Sequence, residues 1–256
     1  MPETIRPLQV MAVRTDTKVA LAALAVGSGS LDASSFLRLG GVFAGIMTSN
    51  LVFVSLSAVK EDATLGKHCA AALFSYIVGV SVGSALDRSS GCPSQLGTHR
   101  LSVLLTAEAV VLVACSAWWA AEGARPEGWQ QLTLLGVMAF AMGLQSSATR
   151  SLGDPDAGTT YVTGTLTLVV ATAITGRRPD AGAVLAIAGI LCGAAAGVGL
   201  LQTVPDVTPL LAVAAVAFTA VLSWSERHHT PDPTIASAPV PGAVPGEVIP
   251  NSTPRP

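Results

Sequence analysis

Ser28–Ala58 reads SGSLDASSFLRLGGVFAGIMTSNLVFVSLSA, and Gly143–Ala173 reads GLQSSATRSLGDPDAGTTYVTGTLTLVVATA. Overlaid without a gap, Leu37 matches Leu152, Thr48 matches Thr163, Leu51 matches Leu166, Val54 matches Val169 and Ala58 matches Ala173. Each stretch is polar and rich in small residues, and each is embedded in hydrophobic sequence. Asp, Arg, Asn, Gln and Thr are costly in hydrocarbon, so where they occur they serve packing or function. Their occurrence twice, at corresponding places, points to a central site between two half-molecules.

The surroundings fix the class. Half of the residues are apolar, 12% are charged, and the mean hydropathy is +0.58. A soluble domain carries about 25% charged residues, twice this share. The chain therefore reads as an all-α polytopic transmembrane bundle whose first partner is the lipid bilayer. A net charge of −2 without a basic stripe argues against nucleic acid. Cys69, Cys92, Cys115 and Cys192 are too dispersed for a disulfide framework or a metal site. No cofactor is implied.

A spanning helix needs about 20 apolar residues. Eight stretches qualify: 17–35, 40–59, 67–86, 101–121, 130–149, 158–176, 181–201 and 208–224. The first and fifth each run into a polar segment, and if those two are short or re-entrant the count falls to six or seven. With eight spans and the N-terminus inside, the inner side holds Arg6, Arg14, Lys18, Lys60, Lys67, Arg125, Arg177, Arg178, Arg227 and Arg255. The outer side holds Arg38, Arg88, Arg100 and Arg150. This asymmetry places both termini in the cytoplasm. Trp118, Trp119, Trp129 and Trp224 fall at helix ends, as interfacial anchors do.

The similarity extends further along the chain. Gly79-x3-Gly83 matches Gly193-x3-Gly197, and Leu104–Trp119 resembles Leu210–Trp224. The organisation expected is a cytoplasmic segment 1–16, a first membrane repeat 17–121, a second 130–224, and a Pro-rich, disordered cytoplasmic tail 225–256. Four spans per repeat make the halves parallel, and three would make them inverted.

Asp32-Ala-Ser-Ser-Phe36, Val42-Phe43 and Met47-Thr48-Ser49-Asn50-Leu51 resemble the first signature of the YoaK family, bacterial membrane proteins with a domain of unknown function, DUF1275. Met142-Gly143-Leu144-Gln145-Ser146 and Thr159-Thr160-Tyr161-Val162-Thr163-Gly164-Thr165-Leu166-Thr167 resemble the second. The resemblance covers about residues 15–225. It departs at Ser49, where the family usually has Gly. The family has no assigned activity, so the resemblance implies architecture and a bacterial inner-membrane location rather than a chemistry.

The candidate site for a small solute or ion comprises Asp32, Thr48, Asn50, Gln145, Thr160, Tyr161, Thr163 and Thr165. Thr48 and Asn50, like Thr163 and Thr165, do not share a helix face at i, i+2, so a local unwinding near Gly45 and Gly164 would let them line a cavity. The alternative use of the same residues is interhelical hydrogen bonding and close packing. Asp32 and Arg38 lie about 600° apart on a helix and do not pair directly. Arg150 is the candidate partner for Asp32 across the halves, which makes Arg38 and Arg150 candidate ion-pair residues. Glu108, inside the fourth span, is a candidate proton carrier. The GxxxG pairs read as packing surfaces within the chain or in a homo-oligomer.

Enzymatic constellations are not evident: HExxH is missing, and His68 and His99 sit at helix ends on opposite sides, so they do not meet in a triad. Three functions compete. The first is a small-solute transporter or permease with a midplane site between the repeats. The second is a non-transporting scaffold or partner-binding protein. The third is an intramembrane enzyme using Asp32 or Glu108.

Overall fold

The computed structural model describes residues 6–88, 97–151, 162–176 and 178–229. Eight α-helices appear among them: α1 (Arg6–Arg38), α2 (Met47–Lys60), α3 (Ala63–Arg88), α4 (Gly97–Ala121), α5 (Trp129–Ser151), α6 (Val162–Ile174), α7 (Ala181–Thr203) and α8 (Leu210–His229). A 3₁₀ turn, Pro205–Val207, joins the last two. Six helices are long and apolar enough to cross a membrane. The two that are not, α2 and α6, have 14 and 13 residues. At 1.5 Å per residue each reaches about 20 Å, short of the roughly 30 Å hydrocarbon core. The eight-span count is thus corrected to six. The short helices are the second and sixth, whereas the first and fifth stretches are full-length spans.

Helix directions follow from the glycine contacts. Along α1 and α7, Gly189 abuts Ala22, Gly193 abuts Val26 and Gly197 abuts Ser30, so these helices run parallel. Along α3 and α5, Gly136 meets Ser75, Gly79 meets Phe140, and Gly83 meets Ser147, so these also run parallel. Gln131 at the start of α5 donates to the Arg38 carbonyl at the end of α1, 2.7 Å away. Hence α1 and α5 run in opposite directions. Because α3 is parallel to α5, it starts on the side where α1 ends. The intervening α2 therefore enters and leaves on one side. The same argument applied to α5 and α7 makes α6 re-entrant from the other side. The parallel relation between halves does not hold: each half has three crossings, an odd number, and its helices run opposite to those of the other half.

The arrangement is swapped. α1 leaves its own half to pack along α7 and α8, while α5 packs along α3 and α4. α4 and α8 close the bundle against each other. The packing recurs at one spacing. Gly29 meets Ile190 and Ala194, and Gly143 meets Tyr76 and Val80. Each residue of the second set lies 114 positions from its counterpart in the first. Only hydrogen in place of a side chain allows backbones this close, and van der Waals contact over such surfaces drives helix association in lipid. The consequence is that α1 and α5 form the centre, with 67% and 72% of their spanning windows buried against 22–39% for the other four.

The ends have local causes. Gly40 and Gly41 take φ values of +87° and +73° and break α1. Asp180 caps α7 by accepting the Ala183 amide at 3.2 Å and also pairs with Lys18. Trp118 donates to Glu122 of the α4–α5 turn at 3.0 Å, and the buried Trp119 donates to the Pro205 carbonyl of the α7–α8 turn at 2.9 Å. Trp129 is exposed beside Trp118. The Trp224 side chain and most of the proline-rich tail lie outside the described residues.

Candidate functional site

After Arg38 the chain turns back along α1 as a non-helical stretch, residues 39–46, before α2 begins. Phe36 and Phe43 stack with centroids 4.8 Å apart, and Phe43 in turn lies 6.3 Å from Phe53. Asp32 Oδ1 accepts the Gly45 amide at 2.6 Å, and the amides of Ala44 and Ile46 are also directed at the carboxylate. Ser35 Oγ accepts the Ala44 amide at 3.0 Å. Asn50 holds the other edge: its Oδ1 accepts from the Phe43 amide at 3.2 Å and its Nδ2 donates to the Phe43 carbonyl at 2.7 Å. These contacts answer the demand that backbone polar groups inside a bilayer find partners. Ile46, the residue before α2, supplies no side-chain cap. Asp32, from another helix, instead holds the amides of the stretch that leads into α2 rather than those of its first turn.

The unwinding therefore lies N-terminal to Thr48 and Asn50 rather than at them. Asn50 is fully buried and Thr48 points outward. Asp32 is not paired with Arg150: backbone amides occupy it, and Arg150 is exposed. Among the described residues the ion pair is Lys18–Asp180, which the sequence reading missed because its partners are 162 positions apart. Arg38 contributes its carbonyl, not its charge, to the α1–α5 contact.

Gln145 lies at the crossing of the central helices. Its side chain exchanges hydrogen bonds with Ser28 and donates to the Leu24 carbonyl at 3.3 Å. Met142, one turn away, lies against Gly45 together with Asp32. Thus α1, α5 and the non-helical stretch bring Asp32, Asn50 and Gln145 into one polar interior. Tyr76 extends it by donating to Ser146 at 2.8 Å. Sequence reasoning missed Ser28, Ser35 and Tyr76, although Ser35 stands within the quoted DASSF signature.

The second broken segment is differently built. α6 has no buried residue and packs on α7, with Thr163 exposed and Thr165 half-buried. Thr160 and Tyr161 lie outside the described residues. Glu108 is elsewhere, on α4, 1% exposed, and among the described residues neither carboxylate oxygen has a hydrogen-bond partner.

Six long apolar helices around a polar interior, with two short helices that do not cross, define a multi-pass α-helical membrane protein. The chain belongs to the family described as "Protein of unknown function (DUF1275)", whose profile matches residues 20–223. It is 28% identical over 148 residues to "UPF0700 transmembrane protein YoaK" of Bacillus subtilis (strain 168), a stretch covering 57% of this chain and 62% of that relative. No solved structure matches.

Proposed function

We propose that this protein is a small-solute transporter or permease of a bacterial cytoplasmic membrane, with its site where α1, α5 and residues 39–46 meet. In this reading the halves 17–121 and 130–224 form an inverted pair. One observation carries it: oppositely directed central helices, α1 and α5, are each followed by a short helix that re-enters from its own side. Inverted halves with interrupted helices are how many transporters place a site near the midplane and open it alternately to each side. The matching small-residue interfaces supply surfaces along which one set of helices can rock against the other. Side assignment rests on charge. Among the described residues, Arg6, Arg14, Lys18, Arg88, Arg100, Arg150, Arg178 and Arg227 belong to the side of the N-terminus, against Arg38, Lys60, Lys67 and Arg125 opposite. The positive-inside rule then puts both ends of the bundle in the cytoplasm.

The test is flux in proteoliposomes, with pooled metabolites and with and without a pH gradient, beside a Gln145→Leu variant. Flux that the variant loses while remaining folded supports the reading. No flux for any pool, with folding and orientation verified, turns the assignment toward a non-transporting scaffold. A specific observation favours that second reading: Asp32, Ser35 and Asn50 spend their hydrogen bonds on the protein's own backbone. The enzyme reading has less support, because among the described residues Glu108 has no hydrogen-bond partner and so does not share a proton with Asp32.

A further inference from the structure

α4 presents Leu101, Leu104, Leu105, Glu108, Leu112, Cys115 and Trp119 to the interior, a stripe at helical spacing in which one member is an acid. Glu108 is the eighth residue of the 21-residue span Leu101–Ala121, about 10 Å from its nearer end. Two anchors fix its depth. Leu104 and Ser147 both lie against Gly83, and Trp119 bonds to Pro205. α4 and α5 are antiparallel, so one turn from Leu104 toward Trp119 brings Glu108 level with residues 143–145 of α5. That is the depth of the Ser28–Gln145 contact at the crossing of the two central helices. By the same register from Trp119, Val216 of α8 stands opposite.

Among the described residues of the helices packed on α4, no charged residue stands at this depth in the register. In α5 the charge is Arg150, at its end. In α8 the charged and titratable residues are Glu226, Arg227, His228 and His229, all in its last turns. α3 carries Lys67 and His68 near one end and Asp87 and Arg88 at the other. Asp206 lies in the turn before α8. Tyr76 is engaged with Ser146, and Cys115 is two turns along α4. A carboxylate held there as an ion, without donor or counter-ion, is strongly unfavourable. A structural acid would instead donate its proton to a neighbour, and among the described residues both Glu108 oxygens lack any such contact.

We propose that Glu108 is a proton-binding site in the membrane interior, loaded and unloaded as the bundle around α4 opens to water. The proton would be the ion coupled to solute movement. That role rests on the transport reading above, whereas the binding site itself does not.

The test reads the proton on Glu108 directly. The full-length protein in phosphatidylcholine vesicles is treated with dicyclohexylcarbodiimide between about pH 6 and pH 10, and adducts are mapped by peptide mass spectrometry. The apolar reagent adds a protonated carboxyl across its C=N bond, and the acylisourea formed rearranges to a stable N-acylurea. The expected result is an adduct at Glu108 that declines about tenfold per pH unit above a single midpoint, and that Glu108→Gln abolishes. The same yield at every pH overturns the proposal. So does the lack of an adduct at every pH when the detergent-unfolded chain is labelled. The wild-type titration decides even if the variant fails to fold. A titrating Glu108 in a protein that moves no solute would refute transport and leave the proton site standing. Flux without titration would do the reverse.

Discussion

Asp32 Oδ1 accepts the Gly45 amide at 2.6 Å across 13 residues of chain, and so fastens the end of α1 to the start of α2. A carboxylate receiving backbone amides in a setting poor in water forms some of the stronger hydrogen bonds a protein makes. Replacing Asp32 by Ala should cost about 2 kcal/mol of stability. Asp32→Asn, which keeps an acceptor oxygen, should cost less. Thermal unfolding in detergent micelles followed by tryptophan fluorescence checks this, and equal losses for the two variants would mean that a neutral acceptor does not suffice and the charge is what matters.

Asn50 reads both the amide and the carbonyl of Phe43. An aspartate there keeps the acceptor but sets an oxygen against the Phe43 carbonyl. Asn50→Asp should therefore be at least as damaging as Asn50→Ala, each costing about 2 kcal/mol. Chymotrypsin cleavage at Phe43 should rise in both. Unchanged cleavage would show that the stretch is held by other contacts.

The glycine contacts differ in kind along the chain. A methyl on Gly193 or Gly79 would strike the carbonyl of Val26 or Phe140, and overpacking of this sort costs about 1–3 kcal/mol. Nothing lies within 4 Å of the same methyl at Gly199 of α7. Gly199→Ala should therefore be neutral or stabilising by up to about 1 kcal/mol, the helix-propensity gain. Melting temperatures of the three variants test the map of helix contacts, and a destabilised Gly199→Ala would contradict it.

Six crossings and eight predict different sides for two exposed residues. Glu61, between α2 and α3, and Arg178, before α7, fall on opposite faces with six crossings and on one face with eight. In a background lacking the native cysteines, Glu61→Cys and Arg178→Cys should react with a membrane-impermeant maleimide from opposite sides of sealed vesicles.

Asp180 lies outside the spans. Its hydrogen bond to Lys18 and the amides of the α7 N-terminus hold its carboxyl below the ordinary value of 3.8. A lowered folded value means the stabilisation is complete above 3.8 and lost as pH falls through the folded value below it. Both side chains are substantially exposed, so the pair is worth about 0.5 kcal/mol and weakens with salt. Asp180→Asn should lose only that pH- and salt-dependent part. Asp180→Ala should lose about 1 kcal/mol more, the cap on α7. Unfolding midpoints across an acid pH series at two salt concentrations separate the contributions.

How far the sequence carries can be judged on particular residues. The polar motifs around Asp32, Asn50 and Gln145 were readable because polar groups inside apolar runs stand out by cost alone. Ser35 and Ser28 were not, since a serine in an apolar helix most often bonds its own backbone, and only the fold shows Ser35 reaching the Ala44 amide. The charge asymmetry could not separate six spans from eight. Making the second and sixth stretches re-entrant exchanges Lys60, Lys67 and Arg125 for Arg88, Arg100 and Arg150, three for three, and leaves the balance unchanged.

By itself the sequence determined a membrane-embedded helical chain with two matched polar breaks, because hydrophobic length and the cost of buried polar groups are properties of composition and order along the chain. Only the tertiary structure decided that α2 and α6 are too short to cross, that α1 and α5 run oppositely at the centre, and that Glu108 stands without a hydrogen-bond partner among the described residues. Helix direction and hydrogen-bond partnership are set by which surfaces meet. Gly29 against Ile190 and Gly193 against Val26 are contacts between residues more than 150 positions apart, and no local pattern encodes them.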